Sequence, residues 1–267
     1  MKLKDVLSGT LPEEALRHVS NHFDVIGDIA IISLPPELSD YKKVIAAAII
    51  THRRNIYTVL NKVTRVNGDT RTAAYEVLAG DTTVALHQEF GFHYRFDILK
   101  VFFNIHMAYE RMRVINQVEP GEEVLVPFSG VGPFAIPAAA KGARVVAIEN
   151  NPDAVLWLNE SIGLNKVRKN IMVIEGDAFD TSVLSMQGFD RIIIPTPYGM
   201  DHIFNILAPF VKPKGIIHFY TFKKKHEIPA LVENFEKTGY RITFYRSCGN
   251  VAPGVSRWVF DLEREFN

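Results

Sequence analysis

The residues best placed to do chemistry are a glycine turn and a carboxylate. The turn Ser129-Gly130-Val131-Gly132-Pro133 follows the apolar run Val124-Leu125-Val126. Gly130 and Gly132 permit a sharp reversal and let a ligand come close, where a Cβ would stand in the way. A second apolar run, Arg144 to Ile148, ends in Glu149. A carboxylate at the tip of that strand can accept hydrogen bonds from two ribose hydroxyls. The turn is not G-x-G-x-x-G, because Phe134 and Ala135 fill the later positions. Without the third glycine it clamps a pyrophosphate poorly. An adenosine without phosphates suits it better, and S-adenosylmethionine meets that description. The plainer alternative is a structural βαβ turn.

Other candidates follow strand ends, where open α/β sheets bind ligands. Asp177, in Glu175-Gly176-Asp177, is positioned for an adenine amino group, or else caps the next turn. Pro195-Thr196-Pro197-Tyr198 forms a rigid segment poor in donors. Tyr198 could stack on a base there, or the segment is only a stiff loop. Glu110 precedes the first sheet strand on a helix and could take a proton from a substrate nitrogen. Its alternative is an ion pair with Arg113 or Arg111 at helical spacing. Arg71 could steady charge on a carbonyl oxygen, or is a solvated loop residue. Arg53-Arg54 and Lys223-Lys224-Lys225 are the densest basic clusters, suited to phosphate or simply to a solvated face. His87, His93, His106 and His218 lack metal-site spacing, so no metal is expected. No serine or cysteine stands in a nucleophile motif.

The elements that must hold these residues form two sets. Residues 1–103 read as a small α+β domain. It has a helical lead-in with Thr10 as a cap, a strand pair about Gly27-Asp28 and a helix from Glu37 to His52. Strands follow over Ile56 to Val66, Thr83 to Leu86 and Tyr94 to Phe103, with a hairpin turn at Asn67-Gly68. Residues 104–118 read as a bridging helix. Residues 119–267 alternate strand and helix, as a doubly wound α/β sheet with an antiparallel end does. Its last strands are expected over Gly215 to Tyr220, Tyr240 to Tyr245 and Ser256 to Leu262, and a helix over His202 to Val211.

The chain has 267 residues, 47% of them apolar, and 30 basic residues against 30 acidic ones. A bulk electrostatic grip on nucleic acid is not signalled, so any such contact is a local patch. The lone Cys248 suits a reducing compartment. No apolar run reaches membrane-spanning length, and the N-terminus lacks a signal-peptide core, so a cytoplasmic protein is expected.

Several segments, in order, resemble one family. They are IGDIAIISLPPEL, YKK, GDTRTAAYEVLAGD and HQEFGF, then FFN and ERMRV. FSGVGPFAIPAAAKGARVVAIENNPDA, LNESIGLNKV, GIIHFYTF and VAPGV continue the series. From about Phe23 onward the chain is similar to the archaeal and eukaryotic tRNA guanine N1-methyltransferases and their wyosine-pathway sibling, an aminocarboxypropyltransferase. The resemblance implies a Rossmann-like class I methyltransferase sheet preceded by a small α+β domain. It implies S-adenosylmethionine as cofactor and, as substrate, guanosine 37 in the anticodon stem-loop of tRNA. Glu110 matches the family's general base and Arg71 the arginine facing guanine O6. Phe128, Gly130, Gly132, Glu149 and Asp177 match the cofactor pocket, with Asn150 and Pro195 at its margin.

Two departures stand out. Pro195 replaces the asparagine of an Asn-Leu-Pro motif, and Ile105-His106-Met107 replaces Pro-Arg-Leu. The separate N-terminal domain of the longer methyltransferases is not found in this sequence. Methyl transfer to guanosine 37 or its wyosine-type derivative is the leading expectation. Aminocarboxypropyl transfer is the close alternative, and a catalytically idle tRNA-binding module is the rival from another class.

Overall fold

The computed structural model describes residues 2–63, 73–184 and 188–265, and the chain divides into two compact units, Met1–Phe103 and Asn104–Asn267. The first unit opens with α1 (Leu3–Leu7) and α2 (Glu13–His18). Thr10 does not cap α2: Leu11 is buried and bridges to Ser8, which keeps the chain extended as far as Pro12. β1 (Asp24–Ile26) and β2 (Ile29–Ile32) pair antiparallel about Gly27-Asp28. Pro36–Tyr41 wind as a tight 3₁₀ turn, so α3 (Lys42–His52) starts later than Glu37. Ile45, Ala46 and Ile49 turn its apolar face into the core with Leu3, Leu7 and Val59.

β3 (Thr58–Lys62) runs parallel to β2 and antiparallel to β4 (Tyr75–Ala79). The sequence pattern does not announce β4, because no residue of it is fully buried and no alternation shows. The Asn67-Gly68 turn and Arg71 lie outside the described residues. β5 (Val84–Glu89) and β6 (Phe92–Asp97) form a hairpin. β6 stops short of Phe103. The apolar residues beyond it are loop residues that fill the core, and Phe103 stacks on Phe96 at 5.0 Å.

The second unit begins with α4 (Ala108–Ile115), entered through a 3₁₀ turn that Asn104 caps. There follow β7 (Glu123–Val126), α5 (Ala135–Ala140), β8 (Arg144–Glu149) and α6 (Pro152–Leu164). Pro152 in the first turn and the Asn151 cap, which accepts from the Asp153 N–H at 3.0 Å, start α6 where the sequence places it. β9 (Ile171–Glu175) and β10 (Phe189–Ile194) lead to α7 (Ile203–Leu207). That helix ends early because Pro209 lies in a 3₁₀ turn over Ala208–Phe210, and Val211 already belongs to β11 (Val211–Lys224). α8 (Ile228–Lys237), β12 (Tyr240–Ala252) and β13 (Val255–Arg264) complete the unit.

One seven-stranded sheet organises this unit, in the order β12-β13-β11-β10-β7-β8-β9. Its five strands from β7 to β11 are parallel, while β13 runs antiparallel to both β11 and β12. The last three strands are much longer than expected. An antiparallel edge needs only one covered face, so β12 continues through exposed polar residues that read as loop in a one-dimensional pattern. β8 leaves β7 on one side and β10 flanks it on the other. Strand order therefore reverses between β7 and β10, which opens a crevice at their carboxyl ends.

Candidate active site

The turn after β7 lines that crevice. Phe128 takes φ 51°, a left-handed conformation that non-glycine residues adopt rarely. Gly130 and Gly132 follow at φ 55° and 88°. A Cβ on Gly132 would lie 2.5 Å from Leu158 Cδ1, whereas one on Gly130 would meet nothing within 4 Å. The two glycines thus serve different ends: Gly132 packs the turn onto α6, and Gly130 faces open space. Glu149 ties the turn down, accepting from the Gly130 N–H at 2.7 Å through one oxygen and the Asn151 N–H at 2.9 Å through the other. Each carboxylate oxygen keeps a lone pair. Ser129 Oγ is buried with no hydrogen-bond partner among the described residues. An open glycine, a held carboxylate and an unsatisfied hydroxyl fit a diol-bearing adenosine. Asn150 stands exposed beside Glu149.

Around the same edge, Phe128 meets Phe179 edge-on at 6.0 Å, and Phe179 stacks on His202 at 4.7 Å. These rings give the crevice an apolar wall. Asp177 accepts from the Phe179 N–H at 3.0 Å, so it caps its own turn through one oxygen. Pro195 follows β10 directly, and buried Thr196 folds back, its N–H donating to the Ile194 carbonyl at 2.8 Å. Tyr198 is largely exposed, its ring 5.3 Å from Phe222. Lys223 is engaged with Asp201 at 2.6 Å, while Lys224 and Lys225 are exposed at the carboxyl end of β11. In the first unit Arg53 and Arg54 are both exposed. Arg53 lines a cleft of about 260 Å³ with the polar residues Asn21, His22 and Asn55.

Glu110 lies at the centre of a different arrangement. It is only 4% exposed, and its partner on α4 is Arg113, one turn on. Arg113 forks onto the carboxylate through Nε and Nη2 at 3.0 and 2.8 Å from Oε1. Tyr220 donates its hydroxyl to Oε1 at 3.1 Å, and Arg246 on β12 donates to Oε2 at 2.5 Å. The ion pair suggested by helical spacing is therefore present, and two further donors join it. Arg113 in turn reaches Asp261 on β13 at 2.6 and 3.0 Å. Asp261 accepts from His218 Nδ1 at 2.7 Å, His218 Nε2 meets Arg191 at 2.7 Å, and Arg191 pairs with Glu122 at 2.8 Å. Three guanidinium groups thus face three carboxylates around a buried imidazole, and the charge balances.

These contacts set the proton affinities. Burial pushes the His218 imidazole below its ordinary value, against the pull of Asp261. Burial alone would raise Asp261, but hydrogen bonds from His218 and Arg113 hold it well below the usual carboxylate range. Burial also opposes charge on Arg113, yet Asp261 and Glu110 keep it firmly protonated. Burial, reinforced by Glu110, lifts the Tyr220 phenol well above its ordinary value. The same two causes push the Cys248 thiol up to about 12.

Glu110 and the glycine turn belong to one neighbourhood. Phe134, which follows the turn, packs its ring 5.7 Å from that of Tyr220, the residue hydrogen-bonded to Glu110. Sequence reasoning did not single out Tyr220, Arg246, Asp261 or Arg191. The available signal was a charged residue inside an apolar strand run: Asp261 between Phe260 and Leu262, and Arg191 before three isoleucines. Among the described residues no cluster of metal-ligating side chains occurs, and no helix is long and apolar enough to cross a membrane.

Comparison with known proteins adds to this geometry. Residues 85–243 match the family described as the TRM5/TYW2 methyltransferase domain, and residues 3–83 match the TYW2 N-terminal domain. The tRNA (guanine(37)-N(1))-methyltransferase Trm5b of Pyrococcus abyssi is 38% identical over 213 residues, which span 79% of this chain and 63% of that protein. The tRNA(Phe) (4-demethylwyosine(37)-C(7)) aminocarboxypropyltransferase of Pyrococcus horikoshii is 32% identical over 98% of this chain and 95% of its own. The crystal structure of P. horikoshii TYW2 in complex with MeSAdo superposes with a TM-score of 0.81 at 30% identity, covering 98% of this chain and 97% of that one.

Proposed function

The chain belongs to the TRM5/TYW2 methyltransferase family, and on that premise we propose that it is an S-adenosylmethionine-dependent transferase that modifies tRNA beside the anticodon. The observation that carries this reading is the shared neighbourhood of two groups. Glu149 and Gly130 frame the open turn at the crevice, and Phe134 and Tyr220 link that turn to the Glu110 carboxylate. The turn and the carboxylate are thereby tied to one sheet, which supports reading them as donor site and proton acceptor. The anticodon stem-loop as docking partner and a cytoplasmic location are parts of the same proposal.

In this reading Glu149 holds the ribose hydroxyls while Gly130 admits the adenosine to the backbone. Asp177 offers its remaining oxygen to the adenine amino group, and Phe128 with Phe179 excludes water from one side. Asn150 and Pro195 border the same pocket. Bound S-adenosylmethionine supplies an electrophilic carbon on a sulfonium, whose C–S electron pair leaves with sulfur. Glu110 takes the proton of the attacking guanine nitrogen as that nitrogen's electrons form the new bond to carbon. Arg71 steadies the developing charge on the base oxygen, and Tyr198 with Arg53, Arg54, Lys223 and Lys224 serves the RNA. Most of the acceleration expected here is positioning and charge stabilisation.

Methyl transfer is the leading form of the reaction. Aminocarboxypropyl transfer is favoured by one specific observation: the P. horikoshii aminocarboxypropyltransferase matches end to end, whereas this chain spans under two thirds of the P. abyssi methyltransferase. Incubation with bulk tRNA and cofactor labelled either in the methyl or in the carboxyl group separates the two. Label retained only from the methyl group means methylation, and label from the carboxyl group means the larger transfer. Absence of both, together with no cofactor binding by calorimetry, would leave only the idle tRNA-binding module.

A further inference from the structure

The two oxygens of Glu110 are held very differently. Oε1 takes two contacts from Arg113 and one from Tyr220. Neither donor is free to leave. Arg113 is anchored from its other side by both oxygens of Asp261, and Tyr220 is fully buried on the interior strand β11. Oε2 has a longer contact of 3.2 Å from Arg113 Nε and one short contact, from Arg246 Nη2. The Arg246 side chain is 48% exposed, comes from the edge strand β12, and makes no other ion pair among the described residues. A half-solvated guanidinium on one carboxylate, with a long 5.9 Å approach to the Phe244 ring as its other contact, is held weakly, whereas a buried forked pair is costly to break.

We propose that Arg246 is a displaceable cover on Glu110 Oε2, withdrawn onto an anionic oxygen of the RNA backbone when substrate docks. This rests on the reading of Glu110 as the proton acceptor for a tRNA base. Oε2 is then the oxygen that receives the proton, and Oε1 is the fixed end that aims it. Exchange of partners keeps every charge compensated. Arg246 trades a carboxylate for a phosphate, and Glu110 retains Arg113 and Tyr220. Guanidinium suits this exchange because its planar fork matches carboxylate and phosphate alike. The free protein thereby keeps its acceptor occupied, and the carboxylate is bared only when RNA is present. The neighbouring thiol of Cys248, its proton affinity pushed up to about 12 by burial and by Glu110, is neutral in the free protein and offers Arg246 no rival anion.

Two measurements test the proposal. The first needs neither RNA nor cofactor. Glu110 in the free protein is labelled slowly by a water-soluble carbodiimide, read by peptide mass spectrometry, and Arg246→Ala speeds that labelling at least tenfold. An equal rate in a variant with an unchanged melting temperature overturns the cover. The second uses an anticodon stem-loop. The Arg246 side-chain NMR signal shifts on saturation while that of Arg113 stays, and Arg246→Ala lowers the salt slope of RNA binding by about 1. Arg246→Lys restores part of the slope. In turnover, Arg246→Ala raises KM for tRNA by a larger factor than it lowers kcat. An unmoved Arg246 signal in saturating RNA, or a fall in kcat with KM unchanged, sinks the partner exchange. A chain that binds no RNA refutes the tRNA reading instead, and the labelling rates still decide whether Arg246 covers Glu110.

Discussion

Arg191 places Nη1 2.7 Å from Nε2 of His218, and this contact decides the state of the imidazole. Arginine only donates, so Nε2 must accept and the ring must be neutral. The single proton then sits on Nδ1, where it is donated to Asp261 at 2.7 Å. One arginine on β10 thus fixes the tautomer of a histidine on β11, which orients the carboxylate on β13 that anchors Arg113. The orientation of Glu110 is set at the end of this series.

A neutral buried histidine gives stability a definite pH dependence. Burial holds the folded-state value of His218 below the ordinary one. As pH falls, the unfolded chain therefore takes up the proton first. Stability is full above about pH 6.5 and declines below it, with a slope approaching 1.4 kcal/mol per pH unit. Urea midpoints measured from pH 7.5 to 5 should show this decline, and His218→Gln should flatten it. A wild-type midpoint that stays level across that range excludes the neutral imidazole.

Asp261 loses its contribution in a separate window. Its folded value lies below the ordinary carboxylate value, so its stabilisation is present above about pH 4 and is lost as pH falls further. Asp261→Ala leaves Arg113 with one carboxylate and His218 Nδ1 without an acceptor, and should cost about 3–5 kcal/mol. Asp261→Asn keeps the shape and should cost less, yet turnover should still fall because Arg113 is no longer held from both sides. Single-turnover rates at fixed saturating cofactor check this. An Asn variant with wild-type rates would separate the network from catalysis.

Much of the turn at the crevice is legible in the sequence because local chemistry dictates it. Gly130 and Gly132 announce their positive φ, Pro152 with Asn151 announces a helix start, and Glu149 follows a clear apolar strand. The Glu110 network is not legible, because its members are far apart in the chain. Arg246 and Asp261 lie more than a hundred residues from Glu110 and Arg113, and only the pairing of β11, β12 and β13 brings them together. The length of β12 is hidden for a related reason. Its hydrogen bonds come from one neighbouring strand, and its exposed side chains carry no alternating pattern.

Cys248 offers a direct check on that pairing. With its proton affinity pushed up to about 12, the thiol is about ten-thousandth ionised at pH 8. Iodoacetamide should therefore modify the native protein about a thousandfold more slowly than the unfolded chain, whose thiol has an ordinary value. Reaction in urea should proceed at the rate of a free thiol. Rapid native modification would mean that β12 does not bury Cys248 beside Glu110.

Glu149 provides the most direct test of the cofactor pocket. Its carboxylate holds the Gly130 and Asn151 N–H groups, and in the proposed function its remaining lone pairs take the ribose. Glu149→Ala removes both functions, so its effect on binding mixes a loosened turn with a lost contact. Glu149→Gln separates them. The amide oxygen still accepts one N–H, but the NH₂ group opposes the other N–H and loses the charge that strengthens a hydroxyl contact. A charged hydrogen bond is worth about 1.5–3 kcal/mol, so calorimetry should show S-adenosylmethionine affinity falling about ten- to a hundredfold in the Gln variant. Alanine should fall at least as far and lower the melting temperature as well. If the Gln variant binds within about threefold of the wild type while keeping its melting temperature, the ribose is held by some other group.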